Sequence, residues 1–182
     1  MQIQQHALPG LLEFIPRVFG DPRGLFYETY SARFMQELGL PADLDWVQDN
    51  QSKSQPGVLR GLHFQRPPDA QAKLVRVAQG RALDVVVDIR RQSPTFGQHA
   101  KVELSAAQGN VLFVPVGFAH GFVALEEDTL FLYKCSNYYA PPAEGGLRWN
   151  DPALGIDWGV ADALISPKDA MLPLLAELDS PF

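Results

Sequence analysis

The chain has a single cysteine, Cys135, so it can form no internal disulfide, and that usage suits a reducing compartment. No apolar run approaches the ~20 residues that a membrane-crossing helix requires, and residues 1–20 lack a basic region followed by a long apolar one. A cytoplasmic location, away from any membrane, is therefore expected. Positive charge is scarce: 15 Lys and Arg stand against 21 Asp and Glu, a formal net charge of −6. Non-specific nucleic-acid binding depends on many phosphate contacts, so a nucleic-acid polymer is not the expected partner. The G-x-G-x-x-G and P-loop patterns are absent, as is a regular strand-helix-strand alternation, which argues against a doubly wound nucleotide-binding fold.

What remains is a chain of 182 residues, 46% hydrophobic and 20% charged, the size and composition of one globular domain spanning 1–182. Area scaling gives a folded surface near ~9,000 Å², with about 70% of the unfolded surface buried. Glycine and proline, 15 of each, fall as regular punctuation between short apolar-alternating runs. Residues 73–78 and 82–89 read as a β-hairpin about Gly80, with Leu83, Val85, Val87 and Ile89 on one face. Further strands are expected at 101–104, 111–114, 121–125 and 129–133. A helix is expected over 31–38, with Ser31 as cap, Phe34, Met35 and Leu38 as its apolar stripe and Gly39 as its stop. A second short one is expected over 169–178, interrupted by Pro173. The pattern is all-β: a cupin-like double-sheet jelly roll with a few short peripheral helices, whose mouth is the natural ligand site.

Three groups of residues could carry chemistry. His63 lies between Leu62 and Phe64 in a strand-like run, so period-2 geometry turns it away from both. It reads either as a packing histidine or as a general base, since imidazole titrates closest to neutrality. As a base it needs a carboxylate to fix its tautomer, and Asp169 and Asp84 are candidates. A metal site would have to join His63 with His120 and Glu126 or Glu144, because the His-x-His pair of metal-binding jelly rolls is missing here. His6 and His99 read as surface residues. In the second group, Tyr133, Cys135, Asn137 and Tyr139 share one face if the chain stays extended. Its tyrosines read as core fillers, or as a proton donor and a stacking platform, with Cys135 as a small packing residue. The third group is the cations Arg23, Arg60, Lys73 and Lys168, which could hold a diphosphate or polarise a carbonyl oxygen.

Taken in order, these segments resemble the dTDP-4-dehydrorhamnose 3,5-epimerase family. The likeness is carried by Phe19-Gly20-Asp21-Pro22-Arg23-Gly24 with Glu28, by Gln48-Asp49-Asn50, by residues 57–65, by Ala72-Lys73-Leu74-Val75-Arg76, and by residues 84–90 leading into Ser93-Pro94-Thr95-Phe96-Gly97. It continues through Val114-Pro115, residues 117–122, Tyr133-Lys134-Cys135, Tyr138-Tyr139, Glu144, Trp149-Asn150-Asp151-Pro152 and Ser166-Pro167-Lys168-Asp169, covering about residues 10 to 170. The resemblance implies a jelly roll without metal or other cofactor, usually a homodimer, acting on a dTDP-4-keto-6-deoxyhexose. It assigns His63 as general base, Asp169 as its hydrogen-bonded carboxylate, Tyr133 as general acid and Lys73 as the cation beside the keto oxygen. Arg23, Glu28, Gln48, Asp49, Asn50, Arg60, His120, Glu144 and Lys168 fall where the family contacts substrate, and Tyr139 where it stacks on thymine. The implied reaction inverts C3 and C5 on either side of the C4 ketone through an enolate, giving dTDP-4-dehydro-L-rhamnose. Inversion at one carbon only, a metal-dependent cupin enzyme and a non-catalytic sugar-nucleotide binding module are the competing readings.

Overall fold

The Gly and Pro punctuation cuts the chain into short extended pieces whose alternating apolar residues need a facing layer to cover them. The computed structural model describes residues 2–37, 39–40 and 44–182, without the side chain of Phe34. Among these residues the strands are, in order, β1 (Gln2–Gln5), β2 (Leu12–Ile15), β3 (Phe19–Asp21), β4 (Gly24–Phe26), β5 (Gln48–Ser54), β6 (Val58–Gln65), β7 (Lys73–Gln79), β8 (Arg81–Asp88), β9 (His99–Ser105), β10 (Val111–Val114), β11 (Phe118–Ala124), β12 (Thr129–Cys135), β13 (Glu144–Gly146) and β14 (Leu164–Ile165). One sheet runs β1-β2-β10-β7-β12-β5 and the other β13-β6-β11-β8-β9, with β14 joining β6 in parallel; β3 and β4 form a separate two-stranded ribbon. This is the expected all-β double-sheet jelly roll, with a surface of 9417 Å².

Among the described residues, three apolar clusters follow from the alternation. Between the sheets lie Val75, Val77, Ala82, Val86, Leu104, Leu112, Phe122 and Phe131. Phe122 and Phe131 stack across the gap at 3.8 Å and 2°, an aromatic pair worth about 1 kcal/mol beyond its buried area. The odd-numbered residues of β8, Val85 and Val87, with Ile89 beyond them, face the other way and are covered by Leu147, Leu154 and Trp158 of the C-terminal segment. The outer face of the first sheet is capped by Met35, Leu40, Tyr30 and Trp46.

Residues 73–89 do not form the expected hairpin. β7 lies between β10 and β12, whereas β8 lies in the other sheet between β11 and β9. Gly80, at φ +77°, swings the chain from one sheet to the other, and a Cβ there would lie 2.7 Å from Thr129 Oγ1. Both strands are apolar on two faces, so placing Val77 opposite Ala82 and Val86 across the core buries more than edge-to-edge pairing would. The helix expected over 31–38 is α1 (Ala32–Glu37), of whose expected stripe Leu38 and the Phe34 side chain lie outside the described residues. The segment 169–178 holds α2 (Pro167–Ala170) and a separate 3₁₀ turn at Leu175–Glu177 instead of one helix. Pro173 lies between them, where it can donate no helical hydrogen bond and instead accepts one from Arg148 N–H. His6 and His99 are half-buried instead of on the surface: His6 Nε2 is 3.0 Å from Glu13 Oε2, and His99 begins β9.

The segment after β8 is tied down by one carboxylate. Asp88, fully buried, accepts hydrogen bonds from Arg90 N and Nε (both 2.9 Å), Ser93 Oγ (2.6 Å) and Thr95 Oγ1 (2.6 Å). Burial pushes this carboxyl up, but the bonds from Arg90, Ser93 and Thr95 outweigh it and bring it down to about 2. A carboxyl with a folded-state pKa below its unfolded one stabilises the fold above the unfolded value and loses that contribution as pH falls through the folded one. Asp88 is therefore expected to contribute about 2 kcal/mol that disappears between about pH 4 and pH 2. Denaturant midpoints across that range should fall for the wild type, and Asp88→Asn should flatten the part of the slope that Asp88 contributes.

Candidate active site

A cleft lies between the sheets and is lined from both. Its first lobe, about 330 Å³, is bounded by Ser52, Arg60, His63, Lys73, His120, Tyr133, Lys168 and Asp169, with Phe122 and Phe131 among its walls. A second lobe of about 300 Å³ adds Gln48, Asn50, Gln65, Gln71, Cys135, Tyr139 and Glu144. His63, Lys73 and Tyr133 border both. Together the lobes have the volume of a site for a small organic molecule.

The alternation of β6 buries Leu62 and Phe64 in the outer cluster and turns His63 into the cleft. Across the ladder, His63 pairs in register with His120 of β11. These strands approach unusually closely one residue along: a Cβ on Gly121 would lie 2.7 Å from the Arg60 carbonyl oxygen and 3.0 Å from Gly61 Cα. Each histidine meets its own carboxylate. His63 Nε2 lies 2.7 Å from Asp169 Oδ1, whose other oxygen accepts from Gly61 N–H at 3.2 Å. His120 Nε2 lies 2.8 Å from Asp84 Oδ2. Of the two candidate partners for His63, the structure thus selects Asp169. Its position is set by the cap of α2, where Ser166 Oγ accepts from Asp169 N–H at 3.0 Å. Burial raises the Asp169 carboxyl, but the histidine, the Gly61 amide and Ser166 prevail and hold it below the usual range.

The facing sheet supplies Lys73 and Tyr133. Tyr133 opposes Val75 and Cys135 opposes Lys73 on neighbouring strands, so lysine and phenol stand close together on one wall. Burial, helped by Cys135 and opposed by Arg60, raises the Tyr133 phenol and keeps it protonated at neutral pH. Burial lowers the Lys73 ammonium, against the pull of Cys135, Asp84 and Glu144. Arg60 engages Ser54 Oγ through Nε at 3.3 Å, and its remaining guanidinium donors are suited to an anion.

The run 133–139 does not stay extended. β12 ends at Cys135, and Asn137 turns its amide toward the Pro68 carbonyl. Tyr139 returns to the cleft because its backbone N–H donates to Gln48 Oε1 (2.9 Å) and its hydroxyl to Glu144 Oε2 (2.8 Å). Lys168 Nζ donates to the same Glu144 oxygen at 2.6 Å. These two contacts outweigh burial and lower the Glu144 carboxyl, while Glu144 in turn raises Lys168.

The fold therefore brings His63, Asp169, Tyr133, Lys73, Arg60, His120, Lys168, Gln48, Asn50, Tyr139 and Glu144 to one cleft. Three expected residues stand elsewhere. Asp49 is on the opposite face of β5 from Gln48 and Asn50, bonded to Lys134 Nζ at 2.8 Å. Arg23 is at the tip of the β3–β4 ribbon, exposed and paired with Asp21, and Glu28 is exposed beyond that ribbon. Ser52 and Gln71 were not singled out from sequence; the i, i+2, i+4 spacing of Gln48, Asn50 and Ser52 would have indicated the first. Glu126 pairs with Arg81 Nε at 2.6 Å, away from both cleft histidines. Among the described residues, no three His, Cys, Asp or Glu side chains are grouped as a metal ion would need.

Residues 5–177 match the family model described as dTDP-4-dehydrorhamnose 3,5-epimerase. The chain is 52% identical over 176 residues to the Salmonella typhimurium protein of that name, covering 96% of each. It is 49% identical over 181 residues to its Pseudomonas aeruginosa counterpart, covering 98% of each. Its fold is similar to the crystal structure of dTDP-6-deoxy-D-glucose-3,5-epimerase from Legionella pneumophila in complex with dTDP-4-keto-L-rhamnose, with a TM-score of 0.93, 44% identity and coverage of 98% of this chain and 94% of that one.

Proposed function

Since the chain belongs to the dTDP-4-dehydrorhamnose 3,5-epimerase family, we propose that its cleft binds dTDP-4-dehydro-6-deoxy-D-glucose and inverts C3 and C5 to give dTDP-4-dehydro-L-rhamnose, as an isomerase of dTDP-L-rhamnose biosynthesis. One observation carries the reading. The base candidate His63, backed by Asp169 of α2, sits on one sheet, the phenol of Tyr133 sits on the other, and both line a cleft that also holds Lys73.

The C–H bonds at C3 and C5 are weakly acidic because each flanks the C4 ketone, and they yield a proton only if the enolate is stabilised. With Nε2 held by Asp169, Nδ1 is the His63 nitrogen that takes the proton, and the carboxylate then stabilises the imidazolium. Lys73 places positive charge where the enolate oxygen develops; in comparable sites the loss of one such donor costs roughly 3–4 kcal/mol. Tyr133 donates its phenol proton from the opposite wall, which inverts the carbon; water then takes the proton from His63 and reprotonates Tyr133 before the second inversion. Each carbon loses and regains one proton, so the scheme calls for no redox partner. Arg60, His120 and Lys168 suit the diphosphate and sugar, with Tyr139 as the stacking platform for the base. Gln48, Asn50 and Glu144 line the same lobe as Tyr139. Binding at these positions, remote from the reacting carbons, holds the ring in place for both inversions.

Incubation of the keto-sugar nucleotide with the enzyme in heavy water, followed by NMR, should show deuterium at both C3 and C5 with inverted configuration. Exchange at one carbon only would make this chain a mono-epimerase. Saturable binding without exchange would make it a binding module, and loss of exchange on chelation would favour the metal-dependent alternative.

The assembly that suits this reading is a homodimer of single-domain chains in the cytoplasm. The β3–β4 ribbon belongs to neither large sheet and exposes Phe19, Leu25 and Phe26 at 52%, 64% and 72%. A second copy covering that ribbon would bury these side chains and could receive Arg23 and Glu28, which do not reach the cleft of their own chain. Light scattering should give twice the chain mass, and Phe26→Glu should shift it toward one.

A further inference from the structure

Among the described residues, two buried side-chain polar atoms lack a hydrogen-bond partner, Ser52 Oγ and Asp84 Oδ1. Ser52 lines the cleft, and Asp84 is bonded to His120, which lines it too. Unsatisfied buried groups are costly and cluster where a ligand or a reaction uses them. Asp84 is the more demanding of the two, because it is a carboxyl group with no exposure at all.

Its setting differs from that of Asp169 in one respect. Asp169 has both oxygens engaged, one by His63 and one by the Gly61 amide. Asp84 gives one oxygen to His120 Nε2 and leaves the other unpaired. On β8 it shares the inward face with Ala82 and Val86, so it looks across the gap toward the opposite sheet. Lys73, the first residue of β7, looks back from that sheet, on the face of Val75 and Val77.

We propose that Asp84 is a positioning residue: one oxygen fixes the tautomer and ring plane of His120, while the charge on its unpaired oxygen keeps the Lys73 ammonium protonated and turned into the cleft beside the sugar's keto oxygen. The inference rests on the epimerase reading given above. Asp84 touches no substrate in this account and acts only through two residues that do. Asp84 and Lys73 both face the gap between the sheets, and there the charges of Cys135, Asp84 and Glu144 oppose the burial that lowers the Lys73 ammonium. The groups around Lys73 are Cys135 and Tyr133 from β12, Asp84 from β8, Glu144 from β13, His63 and Arg60 from β6, His120 from β11, and Lys168 and Asp169 from α2. Removing the Asp84 charge leaves burial with less opposition, so Lys73 should lose its proton at a lower pH.

Two measurements test this. The first needs neither a variant nor substrate: in ¹⁵N-histidine-labelled wild type, at a pH where the ring is neutral, the His120 proton should sit on Nε2, facing Asp84. A proton on Nδ1 overturns the proposal. The second compares Asp84→Asn, which keeps the side-chain shape, with wild type in the heavy-water assay. The value of kcat should fall about ten- to a hundred-fold, the range typical of partners that orient a first contact. The alkaline limb of the kcat/KM profile should move to lower pH. A purely structural role would reduce the amount of active enzyme without moving that limb, and an unmoved limb overturns the proposal. If the wild type itself exchanges no deuterium, the epimerase reading fails, while the ring-nitrogen spectrum still judges the pairing of Asp84 with His120.

Discussion

Asp169→Asn is expected to slow deuterium entry at C3 and C5 by roughly 10⁴-fold, the scale seen when a histidine base is locked in the wrong tautomer. The carboxylate serves two donors, His63 Nε2 and the Gly61 amide, one on each oxygen. Asparagine has a single carbonyl oxygen to offer. The Gly61 N–H cannot rotate, so it claims that oxygen, and the amide NH₂ is left facing His63. The ring answers by accepting at Nε2 and carrying its proton on Nδ1, the nitrogen proposed above to receive the sugar's proton. Substrate affinity should change little, because Asp169 orients the base from behind. His63→Ala should abolish exchange altogether. An Asp169→Asn enzyme exchanging at the wild-type rate would falsify the assignment of the base.

The second large effect separates exchange from inversion. Tyr133→Phe removes the proposed donor on the far wall and leaves the phenyl ring to fill its place. His63 can still withdraw a proton and, with 30% of its side chain exposed, trade it for deuterium before returning it to the same face. The variant should accumulate deuterium in sugar of the starting configuration while inverted product falls about 10²- to 10⁴-fold. NMR of the recovered sugar nucleotide resolves label position and configuration together. Loss of exchange and inversion in equal measure would mean that Tyr133 does not act as a separate acid.

Much of this site is legible along the chain, for an identifiable reason. Alternation is local, so His63 between Leu62 and Phe64 shows its direction without any knowledge of neighbouring strands. The same rule, applied to Gln48, Asp49 and Asn50, would have sent Asp49 to the other face, where it meets Lys134; treating the three as one motif concealed that. What alternation cannot give is which strand lies beside which. Residues 73–89 carry the signature of a hairpin, yet a sandwich buries both faces of each strand better by dividing them between sheets. His63 and Asp169 are 106 positions apart; the residues alone leave Asp169 and Asp84 as equal candidates, and the resemblance to a family chooses between them. The unpaired oxygen of Asp84 depends on three strands at once and leaves no trace in the order of residues.

His63 and Tyr133, the proposed proton acceptor and donor, ride on separate sheets, and the Phe122–Phe131 stack in the wall of the cleft fastens one sheet to the other. Any sliding of the two layers, even a fraction of an ångström, would misalign His63 and Tyr133 long before a ladder came apart. Turnover in this protein is thereby yoked to the shear stiffness of its interior: on warming, catalysis should soften first and unfolding should follow.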